Sequence, residues 1–220
     1  MSEDWDPMST PQSARPSVYT VGHSNLELGE FLATLRRHAV ALVADVRSSP
    51  HSSRHPQFSR ENLEPAARDT GLGYQFFGEE LGGRPADPKL YTPSGVVDYR
   101  ARRRCRDFQW GVARVIELAA DRAVALLCAE EDPITCHRFL LIAPELVLGG
   151  ALPSHIRRGG ELETQQQAED RLLALHHMGA FAGNSLFATD RGTAVEDAIR
   201  AQAEKCAFRA DPLALEYSQY

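Results

Sequence analysis

The sequence predicts an α/β domain built on a mainly parallel sheet of about five strands. Three observations lead there. Short apolar runs alternate with stretches of helical periodicity four or five times along the chain, the pattern of β–α units. Two of the runs, 40–46 and 123–127, are almost unbroken in apolar residues, as strands covered on both faces are. Polar, chemically reactive residues follow three of the runs directly, where parallel sheets present their carboxyl ends to ligands.

The elements follow in order. Residues 18–21, Val-Tyr-Thr-Val, read as a strand ending in Gly22-His23-Ser24-Asn25. Leu28, Phe31, Leu32 and Leu35 give the next stretch a helical apolar face, with Ser24 or Asn25 as cap. The strand 40–46 carries Asp45 near its end and Arg47 just past it. A polar loop with His51, Arg54 and His55 leads to Ser59, the expected cap of a helix over 60–69 that Gly71 stops. Residues 74–77 form a third strand, followed by a turn-rich loop through Leu81-Gly82-Gly83-Arg84. One long helix is expected over 97–120, its basic start at Arg100, Arg102, Arg103, Arg104 and Arg106 read as a solvated face. The strand 123–127 then meets Cys128, Glu130, Glu131 and Asp132, and a helix follows Cys136-His137-Arg138 and stops at Gly149-Gly150. A short strand over 152–156, a helix over 164–176 and an amphipathic helix over 193–208 complete the reading.

The chain of 220 residues suits one domain with extensions. Residues 1–16, acidic and rich in Ser and Pro, read as a disordered leader without the pattern of a signal peptide. The α/β domain is expected over 17–176, with a linker and C-terminal helical extension over 177–220. A net charge of −6 and a pI near 5.8 argue against a general nucleic-acid-coating protein and leave room for a local basic pocket. No apolar stretch nears the roughly 20 residues needed to span a bilayer, so no membrane partner is expected. The four cysteines, without a Cys-x-x-Cys pair or secretion signal, are expected as reduced thiols in the cytoplasm.

Three polar clusters should open on one edge of the sheet: His23-Ser24-Asn25, Asp45 with Arg47, and Cys128 with Glu130. Four residues are assigned catalytic duty. Glu130 comes directly off a strand end, where a carboxylate can serve as acid or base. His23 follows Gly22, which lets a ligand approach the backbone closely, and imidazole shuttles protons near neutral pH. Cys136 sits at a helix start that favours a thiolate, with His137 beside it. Each has a plainer reading as well: Cys136 and Cys128 as buried packing thiols, His23 as a hydrogen-bonded turn residue, and Asp45 with Arg47 as a simple ion pair. Ser24, Asn25, Asp45, Arg47, Arg54 and Arg138 are assigned to substrate, the arginines as an anion clamp. No metal or other cofactor is expected. The spacing Cys-x7-Cys-His matches no common structural zinc pattern, and a fourth ligand would have to be Glu130, Asp132 or the distant His23. There is no Gly-x-Gly-x-x-Gly after the first strand and no phosphate-loop Lys-Ser/Thr, so dinucleotide and ATP chemistry are unsupported.

Together, Val21-Gly22-His23-Ser24-Asn25, Asp45-Val46-Arg47 with Pro50, Arg54 and Pro56-Gln57-Phe58, Leu81-Gly82-Gly83, and Cys128-Ala129-Glu130 with Cys136-His137-Arg138 resemble the domain-of-unknown-function family 488. The resemblance covers about 17–176. It implies a Rossmann-like three-layer fold and a shared polar edge, and no particular reaction.

Three readings of function stand at this point. The first is an enzyme acting on an anionic, phosphate-containing substrate, a nucleotide or nucleic-acid end. The second is a rhodanese-like sulfur carrier, suggested by Asp-Val-Arg and a strand-end Cys. The third is a non-enzymatic module that binds a small ligand or docks a partner through the C-terminal helix.

Overall fold

Side chains alternate across each strand, and that alternation sorts the core into two layers. A computed structural model of the chain describes residues 18–178 and 190–211. The expected leader and linker lie outside the described residues, apart from 177–178. Six strands form one sheet in the order β3-β2-β4-β1-β5-β6, where β1 is Val18–Gly22, β2 Leu42–Asp45, β3 Gly73–Phe76, β4 Val124–Cys128, β5 Ser154–Ile156 and β6 Leu162–Thr164. All neighbours are parallel except β5 and β6. The protein is thus an α/β domain with a mostly parallel sheet, in a Rossmann-like three-layer arrangement.

One face of the sheet takes Val21, Val43, Ala125 and Leu127, and packs against Phe31, Leu32 and Leu35 of α1 (Leu28–Arg37) and Leu63 and Ala67 of α2 (Arg60–Asp69). The other takes Val18, Leu42, Ala44, Val124 and Leu126. It packs against α4 (Tyr99–Arg103), α5 (Arg106–Asp121), α6 (Ala143–Leu148), α7 (Gln165–Leu175) and α8 (Arg191–Cys206). Short α3 (Gly78–Leu81) packs on α5. Every residue of β4 is buried, and each of its leucines contributes about 2 kcal/mol.

The long helix expected over 97–120 is two helices. Cys105 stands between them with extended backbone, and Asp98 caps α4 by accepting from the Ala101 N–H at 2.9 Å. The bend turns two of the arginines inward instead of leaving a solvated face. Arg102 is buried and donates to Asp107 and to the carbonyls of Glu79 and Glu80. Arg103 reaches Glu196 and the Leu140 carbonyl, which ties α8 to the domain. The sixth strand, β6, has only three residues and pairs with β5 alone, too short to show a period. Ser59 precedes α2 as expected, but its hydroxyl accepts from the Ser52 N–H at 3.0 Å and makes no cap bond. Glu27, not Ser24 or Asn25, is the N-cap of α1.

The sheet order positions the site. From β1 the chain moves outward to β2 and β3, then returns to insert β4 between β2 and β1. The connections after β1 and β2 lead to α1 and α2 on one face, while the one after β4 leads to α6 on the other. A crevice at the carboxyl ends of β2, β4 and β1 follows from this divergence.

Candidate functional site

Two adjoining hollows fill that crevice, of about 430 and 420 Å³. They share His23, His51, Ser52, Ala129 and Glu130, so they form one cleft. His23, Arg47, Cys128, Glu130, Cys136 and His137 line the first hollow; Ser24, Asn25, Arg54 and His55 line the second.

At the floor, four side chains converge. Cys128, the last residue of β4, donates to Glu130 Oε2 at 2.8 Å, and Cys136 Sγ lies 3.2 Å from the same oxygen. His137 Nδ1 is 3.7 Å from each sulfur, while its Nε2 donates to the Val46 carbonyl at 2.9 Å. Both cysteines are buried, whereas Glu130 extends to solvent. Cys136 is not in a helical first turn: it follows a single 3-10 turn over Pro133–Thr135, capped by Asp132, and its backbone is extended. A π-helical turn, Arg138–Ile142, follows and leads into α6. Burial pushes the Cys136 thiol up, but the Cys128 hydrogen bond, Arg138 and His137 outweigh it and hold the thiol well below its usual range. Cys128 is pushed well up by the hydrogen bond to Cys136 and by burial. Burial lowers His137, yet Cys136, Glu130 and the Val46 carbonyl raise it on balance. The two thiols are thus driven in opposite directions, and both face the same imidazole nitrogen. Gly83 packs closely against that side chain, where an added Cβ would come within 2.9 Å of His137 Cγ.

His23 is buried and stacks on Phe58, with ring centroids 4.3 Å apart. Its Nδ1 donates to the Ser24 carbonyl at 2.9 Å, and its Nε2 faces Arg47 Nη1 at 3.4 Å. Burial lowers its pKa to about 4, so it is neutral near pH 7. Gly22 makes room for the chain itself: an added Cβ would sit 1.7 Å from the Glu130 carbonyl oxygen. The His23 and Ser24 N–H groups extend the β1–β4 pairing to the Cys128 and Ala129 carbonyls at 3.0 and 2.8 Å.

Of the six residues assigned to substrate, the structure brings Ser24 and Arg54 to the cleft surface. Asn25 lines it too and is held by Arg158. Asp45 and Arg47 are buried as a two-point ion pair, at 2.8 and 2.5 Å, with Tyr74 donating to Asp45 Oδ2 at 2.6 Å. Arg138 is wholly buried away from the cleft. It donates to the Glu130 and Glu131 carbonyls at 2.5 and 2.6 Å and to Thr20 Oγ1 at 3.2 Å. Glu131 and Asp132 pair outward with Arg157 and Arg171 and anchor the loop. Sequence reasoning missed Tyr99, Arg84, His51, Ser48, the last α8 residue Cys206 and Phe208 just beyond it at the cleft wall. Tyr99 has the look of a core aromatic, and α8 lies some seventy residues beyond the last motif. Gly82-Gly83-Arg84 was the one visible signal.

A buried chain of hydrogen bonds supports the loop from behind. Arg138 Nε donates to Thr20 Oγ1, Thr20 to His155 Nδ1 at 2.8 Å, His155 Nε2 to Gln165 Oε1 at 3.1 Å, and Gln165 Nε2 to Glu169 at 3.1 Å. The Thr20 link needs His155 neutral, with Nδ1 accepting. Burial, then Arg138, lowers its pKa to about 4. The unfolded chain takes up a proton here below about 6.5, and the folded one only near 4. Stability is therefore full above pH 6.5 and falls as pH drops between these values, by about 2.5 kcal/mol from this residue at pH 4.5. Urea unfolding of the wild type and of His155→Gln at pH 7 and pH 4.5 checks this. The wild type should lose the extra stability and the variant should not; equal losses would refute it.

A family model described as Domain of unknown function DUF488 matches residues 27–143. No curated protein and no solved structure matches the chain. No helix among the described residues is long and apolar enough to cross a membrane.

Proposed function

The chain belongs to the DUF488 family, and from that premise we propose that it is an enzyme acting on an anionic, phosphate-bearing substrate held in the cleft at the carboxyl edge of the sheet. One observation carries this reading. In a chain of net charge −6, the cleft is lined by Arg47, Arg54 and Arg84 and by four histidines, and Glu130 is its sole carboxylate among the described residues. Arg47 is neutralised by Asp45 behind it. Arg54 and Arg84 line the cleft and have no carboxylate partner among the described residues. Arg84 lies over the Phe208 ring at 4.7 Å, which fixes its guanidinium on the wall. Guanidinium groups and the serine hydroxyls of the rim suit phosphate oxygens.

Proton transfer falls to Glu130, which joins solvent, cleft and thiol floor. His23, neutral at pH 7, orients a ligand or accepts a bond through Nε2. The rhodanese-like reading draws less support, because Glu130 Oε2 lies against both sulfurs where a persulfide anion needs N–H donors.

The test uses calorimetric titration of inorganic phosphate and of nucleoside monophosphates, with turnover followed by phosphorus NMR. Arg84→Ala and Arg54→Ala should each weaken binding about tenfold, a loss of one charge-assisted contact. The double variant should weaken it about a hundredfold. Phosphates that bind nowhere, or bind both variants as well as the wild type, would reject the reading.

A further inference from the structure

The floor of the cleft points to a metal site. We infer that Cys128, Cys136 and His137 are three protein ligands of a tetrahedral zinc ion, with Glu130 at the exchangeable fourth position. This adds to the reading above the nature of the floor, and it does not depend on what substrate the cleft takes.

The geometry comes first. The two sulfurs and His137 Nδ1 lie within 4.8 Å of one another. In a tetrahedral zinc site, with Zn–S near 2.3 Å and Zn–N near 2.0–2.1 Å, a sulfur and a ring nitrogen stand about 3.6 Å apart. Both sulfurs are 3.7 Å from Nδ1. The imidazole nitrogen therefore already stands at ligand spacing from both sulfurs. The fourth corner is taken by Glu130 Oε2, at 2.8 and 3.2 Å from the sulfurs. It stands closer than the roughly 3.6 Å of a zinc-bound carboxylate, so it would withdraw toward solvent by less than about 1 Å. Being the exposed member, it is the ligand that water or substrate would replace.

The chemistry of the donors comes second. Two sulfurs and one imidazole suit a borderline-soft divalent ion and not the hard ions that demand oxygen. Any thiol proton still present leaves to solvent as its sulfur takes the metal. The surroundings come third. His137 Nε2 is fixed by the Val46 carbonyl, which directs Nδ1 at the sulfurs, the usual outer partner of a ligating histidine. Gly83 packs closely against that ring, and Arg138 clamps the backbone carbonyl of Glu130 itself. Three protein ligands with an open fourth position is the arrangement of catalytic zinc, where the ion supplies Lewis acidity and an activated water. The sequence spacing hid this because the ligands come from a strand end and from two consecutive residues on the far side of a capped 3-10 turn.

The experiment is metal loading of the full, reduced chain. Protein stripped with a chelator and reloaded should take up one equivalent of zinc by elemental analysis. With cobalt in its place, the absorption bands of a tetrahedral, thiolate-bound ion should appear. Cys128→Ser, Cys136→Ser and His137→Ala should each weaken loading at least about a hundredfold. Glu130→Gln should keep the ion but shift the cobalt bands, and Cys105→Ser should behave as wild type. Circular dichroism identifies any variant that fails to fold, and Glu130→Gln, at the surface, keeps the test decisive in that event. One equivalent of iron instead, no metal at all, or cobalt bands unchanged in Glu130→Gln together with loading unchanged in the cysteine variants overturns the assignment.

Discussion

Replacing Arg138 by Ala should lower stability by about 4 kcal/mol, among the largest losses of any single side chain in this protein. The guanidinium is wholly buried and, among the described residues, meets no carboxylate oxygen directly; its partners are the Glu130 and Glu131 carbonyls and the Thr20 hydroxyl. Deleting it leaves two carbonyls without donors and a cavity behind the loop. Arg138→Met fills most of that space and still leaves the carbonyls unpaired, so about 3 kcal/mol should be lost. Arg138→Lys keeps the charge but not the fork that spans both carbonyls, and should fall between wild type and Met. Urea unfolding reads the effect as a lower midpoint at unchanged slope. Losses under about 1 kcal/mol for both Ala and Met would mean that the loop holds without its clamp.

The second large effect is expected at Gly22. Its backbone is ordinary for a strand end, so the constraint is one of space. A Cβ there would stand 1.7 Å from the Glu130 carbonyl oxygen and 2.5 Å from its carbon. Backbone cannot swing aside as a side chain can, and either β1 or the Glu130 loop must shift. Gly22→Ala should cost about 3 kcal/mol and lower the Tm by roughly 9 °C. It should also weaken phosphate binding, because Glu130 and His23 move with the strand. Gly29→Ala in α1 is the internal control: an added Cβ there meets nothing within 4 Å, and helix propensity should raise stability by about 0.5–1 kcal/mol. If thermal unfolding gave the two variants the same Tm, the close crossing of β1 and the loop would be refuted.

Much of the fold could be read from the chain because its strands are buried on both faces. β2 and β4 are near-continuous apolar runs, and α2 lies between a Ser and a Gly that mark its ends. What escaped was decided by tertiary contacts. The break at Cys105 rests on inward turns of Arg102 and Arg103, which periodicity reads as surface. β6 exists because β5 offers an edge. For the site, the convergence of the clusters after β1, β2 and β4 followed from topology. The direction of each side chain did not. Arg138 reads as a ligand group beside a reactive Cys-His, yet it faces backward into the protein. Glu131 and Glu130 are neighbours in sequence, and one pairs with Arg157 while the other lies on the two sulfurs.

The place of β1 at the middle of the sheet has a consequence for how the protein comes into being. Val18 pairs with Val124, and Tyr19 with Ser154, so the earliest described strand is flanked by two late ones. On the ribosome, β2 and β3 can close on each other through α2, a local step. β1 must wait, its apolar residues unpaired, until β4 and then β5 have been synthesised. Contacts so distant in sequence slow folding and lengthen the exposure of sticky surface. The cleft shares this timing: Gly22 crosses the Glu130 loop, and His23 bonds to Cys128, only when β1 docks on β4. A nascent chain therefore has no assembled cleft until its architecture is almost complete.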